Sequence, residues 1–216
     1  MPSGTSIRLC LAIEASGPEA VARLEAALAG RSVASLVIVP PGGGGIARDL
    51  ARQLMTQGQA HGAAVLLEGD ARLARSLAAD GVHLPRSEDP MSAYASARAV
   101  LGPRLIVGAE AGQSRHDAMC LGEAGADFIS FGLAGGGEAA DEARRELIGW
   151  WAELFEVPVV AADVETAEEA ARLVAAGADF IAVTIPEAVS ASEISRRLDA
   201  IERALSRSAT AECGLS

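Results

Sequence analysis

The strongest constraint on the fold is an alternation repeated eight times along the chain. Short apolar runs stand at 7–13 (IRLCLAI), 35–39, 63–67, 81–84 (GVHL), 104–108, 127–131 (DFISF), 157–161 and 179–184. Stretches of helical periodicity follow them at 17–29, 45–60, 70–79, 91–101, 114–124, 139–155, 165–176 and 190–206. The runs show little polar alternation, as expected of strands covered on both faces in a parallel sheet. Eight such units predict an α/β chain closed into a single (β/α)8 TIM barrel rather than an open doubly wound sheet. With 216 residues, half of them hydrophobic, one domain over 1–206 is expected. The end of the chain, SRSATAECGLS, has no periodicity, so 207–216 are expected to form a disordered tail.

A repeated phrase supports the barrel. EAGADFISFG at 123–132 and AAGADFIAVT at 175–184 share one pattern, and LAADGVHL at 77–84 is a looser copy. Each reads as a helix end, a turn at Gly125 or Gly177, an Asp and the start of a strand. The Asp lies at the N-terminal end of the strand, so Asp127 and Asp179 are read as structural. Barrel enzymes place their chemistry on the loops after the strands. Those loops begin near Glu14, Pro40, Glu68, Pro85, Ala109, Gly132, Ala162 and Ile185.

Composition narrows the function. The formal charge is −11, which argues against a nucleic-acid or anionic-membrane surface. No apolar run approaches the about 20 residues of a membrane span. The N-terminal apolar patch is interrupted by Glu14 and reads as a buried first strand, giving an expected cytoplasmic location. Cys10, Cys120 and Cys213 are too widely spaced for a zinc or disulfide framework. All 18 basic residues are Arg, and the chain has neither Lys nor Asn.

The segment Val65–Glu88, the phrase GADFISFG and VPVVAADVETAEEAARLVAAGADFIAV together resemble the thiamine phosphate synthase and thiazole tautomerase family over about residues 35–190. The resemblance implies a barrel in thiamine biosynthesis that joins an aminopyrimidine pyrophosphate to a thiazole phosphate, with magnesium on the departing pyrophosphate. Such chemistry needs carboxylates on the metal and cations on the leaving group.

Several family positions are altered. The Gln-x-Arg-x-Lys stretch corresponds to Ile38, Pro40 and Gly42, and the Asn-Asp pair to Glu68-Gly69, followed by Asp70. The second magnesium Asp falls on Glu88, a Gln on Arg86 and a Ser on Glu110. The lysine loop reads LAGGGEAADEA, with Gly135, Gly136, Gly137, Glu138, Asp141 and Glu142. The phosphate-binding Gly-x-Gly-Gly turn is Ala161-Ala162-Asp163-Val164, and the last Ser falls near Ile185 and Pro186. The tautomerase His has no counterpart in AEAGQ, and His116 falls inside the fifth helix.

The candidate residues follow. Glu68, Glu110 and His83 are the candidates for acid–base chemistry, with His83 also readable as a buried imidazole whose nitrogens are satisfied. Arg86, Asp163 and Thr184 are the candidate substrate contacts. Glu88 and Asp70 are the candidate metal ligands if magnesium binds, but Asp70, Asp163 and Glu88-Asp89 are equally placed to cap helices. PPGGGG at 40–45 reads as a flexible mouth loop, and Trp150 and Trp151 as core or interface packing. The partner expected is a small molecule at the barrel mouth, with a homodimer as the candidate assembly.

With the cationic cradle replaced, the residues predict a family barrel that has lost synthase activity, with a degenerate site kept for binding, regulation or altered chemistry. One alternative is an active synthase in which arginines replace the missing cations. The other is a divergent metal- or base-dependent enzyme acting on an unphosphorylated small molecule. Whether the chain is an enzyme at all is left open by these residues.

Overall fold

The computed structural model describes residues 8–133 and 137–213, except for the side chains of 208–213. Gly135 and Gly136 of the glycine loop lie outside the described residues. Eight strands alternate with eight helices: β1 Arg8–Glu14, α1 Glu19–Leu28, β2 Val33–Val39, α2 Arg48–Ala60, β3 Ala64–Glu68, α3 Ala71–Leu77, β4 Gly81–Leu84, α4 Pro90–Leu101, β5 Ile106–Glu110, α5 Arg115–Glu123, β6 Phe128–Phe131, α6 Glu138–Leu154, β7 Val159–Ala161, α7 Ala167–Ala175, β8 Phe180–Ile185 and α8 Ala191–Cys213. The strands pair in chain order, all parallel, and β8 returns to β1, closing the barrel. Helix α8 continues past the expected end at 206, through Cys213.

The main core lies between the sheet and its jacket of helices. Leu11, Ile13, Leu36, Ile38, Val65, Leu67, Ile181 and Val183 point outward from the strands and are almost wholly buried against helices. Each contributes about 1.5–3 kcal/mol of burial. The alternate residues point into the barrel, and many are small: Cys10, Ala12, Ser35, Ala64, Ala182.

The repeated Asp forms the same clamp three times. Its backbone N–H donates to the carbonyl of a residue at the start of the neighbouring strand, and its carboxylate accepts that residue's N–H. The pairs are Asp80 with Val65 (2.9 and 2.7 Å), Asp127 with Val107 (3.0 and 2.8 Å) and Asp179 with Val159 (3.0 and 2.9 Å). These double bonds fix strand register at the N-terminal end of the barrel and confirm the structural reading of Asp127 and Asp179.

The fifth strand starts two residues later than expected, with Ile106 opposite Gly81. Glu110 thereby becomes the last residue of β5 instead of a loop residue, and alternation from Ile106 through Gly108 turns its side chain inward.

Candidate functional site

The inward-facing residues enclose a cavity of about 590 Å³ within the barrel, a volume suited to a small molecule. Its walls are apolar, with Val37, Leu66, Val160 and Phe128 among them. Cys10 is part of this wall; burial pushes its thiol up to about 11, so it behaves as a small apolar group rather than a nucleophile. At the C-terminal end the lining turns polar, with Glu68, His83, Arg86, Glu110, Asp163 and Thr184. Arg8 and Asp127 line the opposite end.

A row of polar side chains crosses the cavity. His83 Nε2 lies 2.9 Å from Ser130 Oγ, and Nδ1 faces Glu68 Oε2 at 3.7 Å. The imidazole stacks on Phe128, with ring centroids 5.9 Å apart and planes 2° from parallel. Glu110 Oε1 accepts the backbone N–H groups of Gly112 (3.1 Å) and Gly132 (2.9 Å). Burial pushes the Glu110 carboxyl above the ordinary glutamate range, and the Gly132 N–H, His83, Ser130 and Gly112 offset part of that rise.

Asp163 stands beside Glu110 at the mouth. A Cβ on Gly132 would lie 2.8 Å from Asp163 Oδ2 and 3.5 Å from Glu110 Oε2, so the missing side chain makes room for both carboxylates. Asp163 takes a left-handed backbone, φ 57°, in the turn where the family resemblance puts glycines. Its Oδ1 lies 3.4 Å from the Thr184 hydroxyl. The expectation that Asp163 caps the seventh helix is therefore corrected. That helix begins at Ala167, and Thr166 caps it in a capping box with Glu169.

The structure brings together Glu68, His83, Glu110, Arg86, Asp163 and Thr184. His83 combines both readings, being largely buried with Nε2 hydrogen-bonded to Ser130 and also lining the cavity. Asp70 and Glu88 do not line it. Asp70 caps α3 by accepting the Leu73 N–H at 2.8 Å, and Glu88 is exposed before Asp89, which caps α4 through Ser92 N at 3.0 Å. Among the described residues no group of three His, Cys, Asp or Glu side chains is placed to hold a metal ion. The residues present thus do not form the protein-built magnesium site that the resemblance implies through Asp70 and Glu88. His116 lies on α5, near Cys120 (Nε2 to Sγ 3.7 Å), away from the cavity. Trp151 is fully buried against Phe131 and Phe155.

Ser130 and Phe128 were not among the candidates. Both sit in DFISFG, which reads as scaffold, although alternation within β6 puts them on the same inward face.

A closed parallel barrel with an inward, polar-rimmed cavity at the C-terminal ends of its strands defines a (β/α)8 barrel with a small-molecule site. Residues 10–185 match the family model described as thiamine monophosphate synthase, and the chain belongs to that family. It is 39% identical over 169 residues to the thiamine-phosphate synthase of Hyphomonas neptunium, covering 74% of this chain and 75% of that protein. It is 42% identical over 128 residues to that of Rhodospirillum centenum, covering 58% of this chain and 60% of the relative. Among solved structures, the thiamine phosphate pyrophosphorylase of Pyrococcus furiosus superposes with a TM-score of 0.74 at 20% identity, covering 95% of this chain and 98% of that one, a likeness of fold.

The expectation of a degenerate site that has lost synthase activity is overturned by these relatives. Several proteins named thiamine-phosphate synthase are 33–42% identical to the chain. The expectation assigned charge to single loop positions. In place of a lysine, a guanidinium, that of Arg86, lines the mouth.

Proposed function

We propose that the chain is an active thiamine phosphate synthase that joins an aminopyrimidine pyrophosphate to a thiazole phosphate. The observation that carries this reading is the 39% identity to a protein of that name over three quarters of both chains. The bond forms between the thiazole nitrogen and the methylene carbon of the pyrimidine, while the carbon–oxygen bond breaks and pyrophosphate leaves with the electron pair. The apolar walls receive the heteroaromatic ring and exclude water from the reacting carbon. Arg86, at the rim, is the cation assigned to the anionic leaving group. The reading carries with it the cytoplasmic location expected for a biosynthetic enzyme, which cell fractionation would check.

Complementation tests the proposal. The gene should restore growth without thiamine to a strain lacking its synthase, and soluble expression without rescue would count against the reading. In purified protein, Arg86→Ala should raise KM for the pyrophosphate substrate about 10- to 100-fold through loss of a charged contact. An unchanged KM would remove Arg86 from the assignment.

A further inference from the structure

We propose that the barrel interior below the polar mouth is a binding chamber for an uncharged apolar small molecule. The inference goes beyond the synthase reading and does not rest on it.

The inner face of the sheet is open where a closed barrel normally packs. Barrels of this class fill their interior with layers of bulky, branched side chains. Here four successive strands place small residues at one level. Ala182 of β8 is in register with Cys10 of β1, Cys10 with Ser35 of β2, and Ser35 with Ala64 of β3. Burial along these strands is inverted as a result. The outward-facing Leu11, Leu36, Val65 and Ile181 are 0% exposed, whereas the inward-facing Ala12, Ser35, Ala64 and Ala182 are only partly buried. The opposite side is filled, because the Phe128 ring occupies the space over Gly108, 2.0 Å from where a Cβ would stand. The cavity of about 590 Å³ continues from the mouth past the small residues to Ile106, Pro158 and Phe180, at or beside the starts of their strands. That volume suits a drug-sized molecule.

Charge decides what can occupy the chamber. Glu68, His83, Arg86, Glu110 and Asp163 stand at the mouth, and Arg8 and Asp127 at the foot. Among the described residues no charged side chain lines the stretch between them. At the foot both charges are engaged. Asp127 pairs with Arg98 at 2.7 Å and accepts the Val107 N–H, and the Arg8 guanidinium lies 5.9 Å from the centre of the Phe180 ring. A phosphate or carboxylate drawn below the rim would lose its hydration and gain no cation in exchange. An apolar molecule instead removes the inward alanines from water, and the Phe128 and Phe180 rings favour an aromatic one.

The test is a fluorescence titration of the whole chain with N-phenyl-1-naphthylamine, an uncharged dye that brightens in apolar surroundings. Binding should saturate at a single site. Ala182→Leu and Ala64→Leu each put a larger side chain into the hollow and should weaken binding about 10-fold or more. Because that side chain enters open space, both variants should melt no lower than the wild type. Binding that does not saturate, or that both variants leave unchanged, overturns the chamber. A lower melting temperature in both variants overturns it too, since overpacking destabilises an interior that is already filled. Thiamine phosphate formation by a chain that does not bind the dye would leave the synthase reading standing. Dye binding by a chain that forms no thiamine phosphate would do the reverse.

Discussion

At the residue scale, the site depends on what is missing at Gly108 as much as on what is present. A Cβ there would lie 2.0 Å from Phe128 Cζ, so the glycine lets the ring lie inside the barrel and stack on His83. Gly108→Ala should cost about 1–3 kcal/mol by overpacking and displace both rings. Thermal unfolding and the His83 NMR signal would report the two effects separately. Glu110 carries a pH signature of its own. Its carboxyl holds its proton more tightly in the folded chain than in the unfolded one, because it is buried. Its contribution to stability is fully present below the ordinary glutamate value and is lost as pH rises through the folded value. Glu110→Gln, which cannot ionise, should therefore flatten stability against pH above the ordinary glutamate value and make the variant gain on the wild type as pH rises. Denaturant midpoints across pH would check this, and parallel curves would contradict it.

At the element scale, a buried guanidinium supports the loop that carries Asp163. Arg144 is 1% exposed and reaches from α6 to the Ala162 carbonyl, to Asp141 at 2.9 Å and to Glu169. Glu169 in turn accepts the N–H groups of Glu165 (2.8 Å) and Thr166 (3.3 Å) at the start of α7. Arg144→Ala would strand Glu169 and should cost about 3–5 kcal/mol, readable as a lowered denaturation midpoint. The looser copy of the repeated phrase carries a smaller cost. Ala78 adopts φ 60° where the other copies have Gly125 and Gly177, so Ala78→Gly should stabilise the chain by about 0.5–1 kcal/mol. A lower melting temperature would contradict this. The strands, their order and the structural Asp residues were legible because short apolar runs and GAD turns are local signals. The mouth residues were legible because closure puts every strand end on one face. Ser130 was not, since its partner His83 is 47 residues away and only barrel closure brings them together. The cap of α7 was misplaced because Asp163 precedes the helix closely, while the capping box begins three residues further on, at Thr166.

At the scale of the whole molecule, the barrel combines an apolar interior, an acidic rim and a guanidinium from a chain without lysine, at a net charge of −11. Matching loop positions singly to a family pattern pointed away from synthesis. Relatives named thiamine-phosphate synthase at 33–42% identity support it. Small side chains such as Cys10, Ala12, Ala64 and Ala182 keep the interior open, and Glu68, His83, Ser130 and Glu110 line it together. The most direct test is to incubate the purified chain with the aminopyrimidine pyrophosphate, the thiazole phosphate and magnesium, and to follow product by mass spectrometry. Thiamine phosphate and pyrophosphate should appear together in equal amounts at an ordinary enzymatic rate. A folded protein that binds neither substrate and forms no thiamine phosphate would contradict the account.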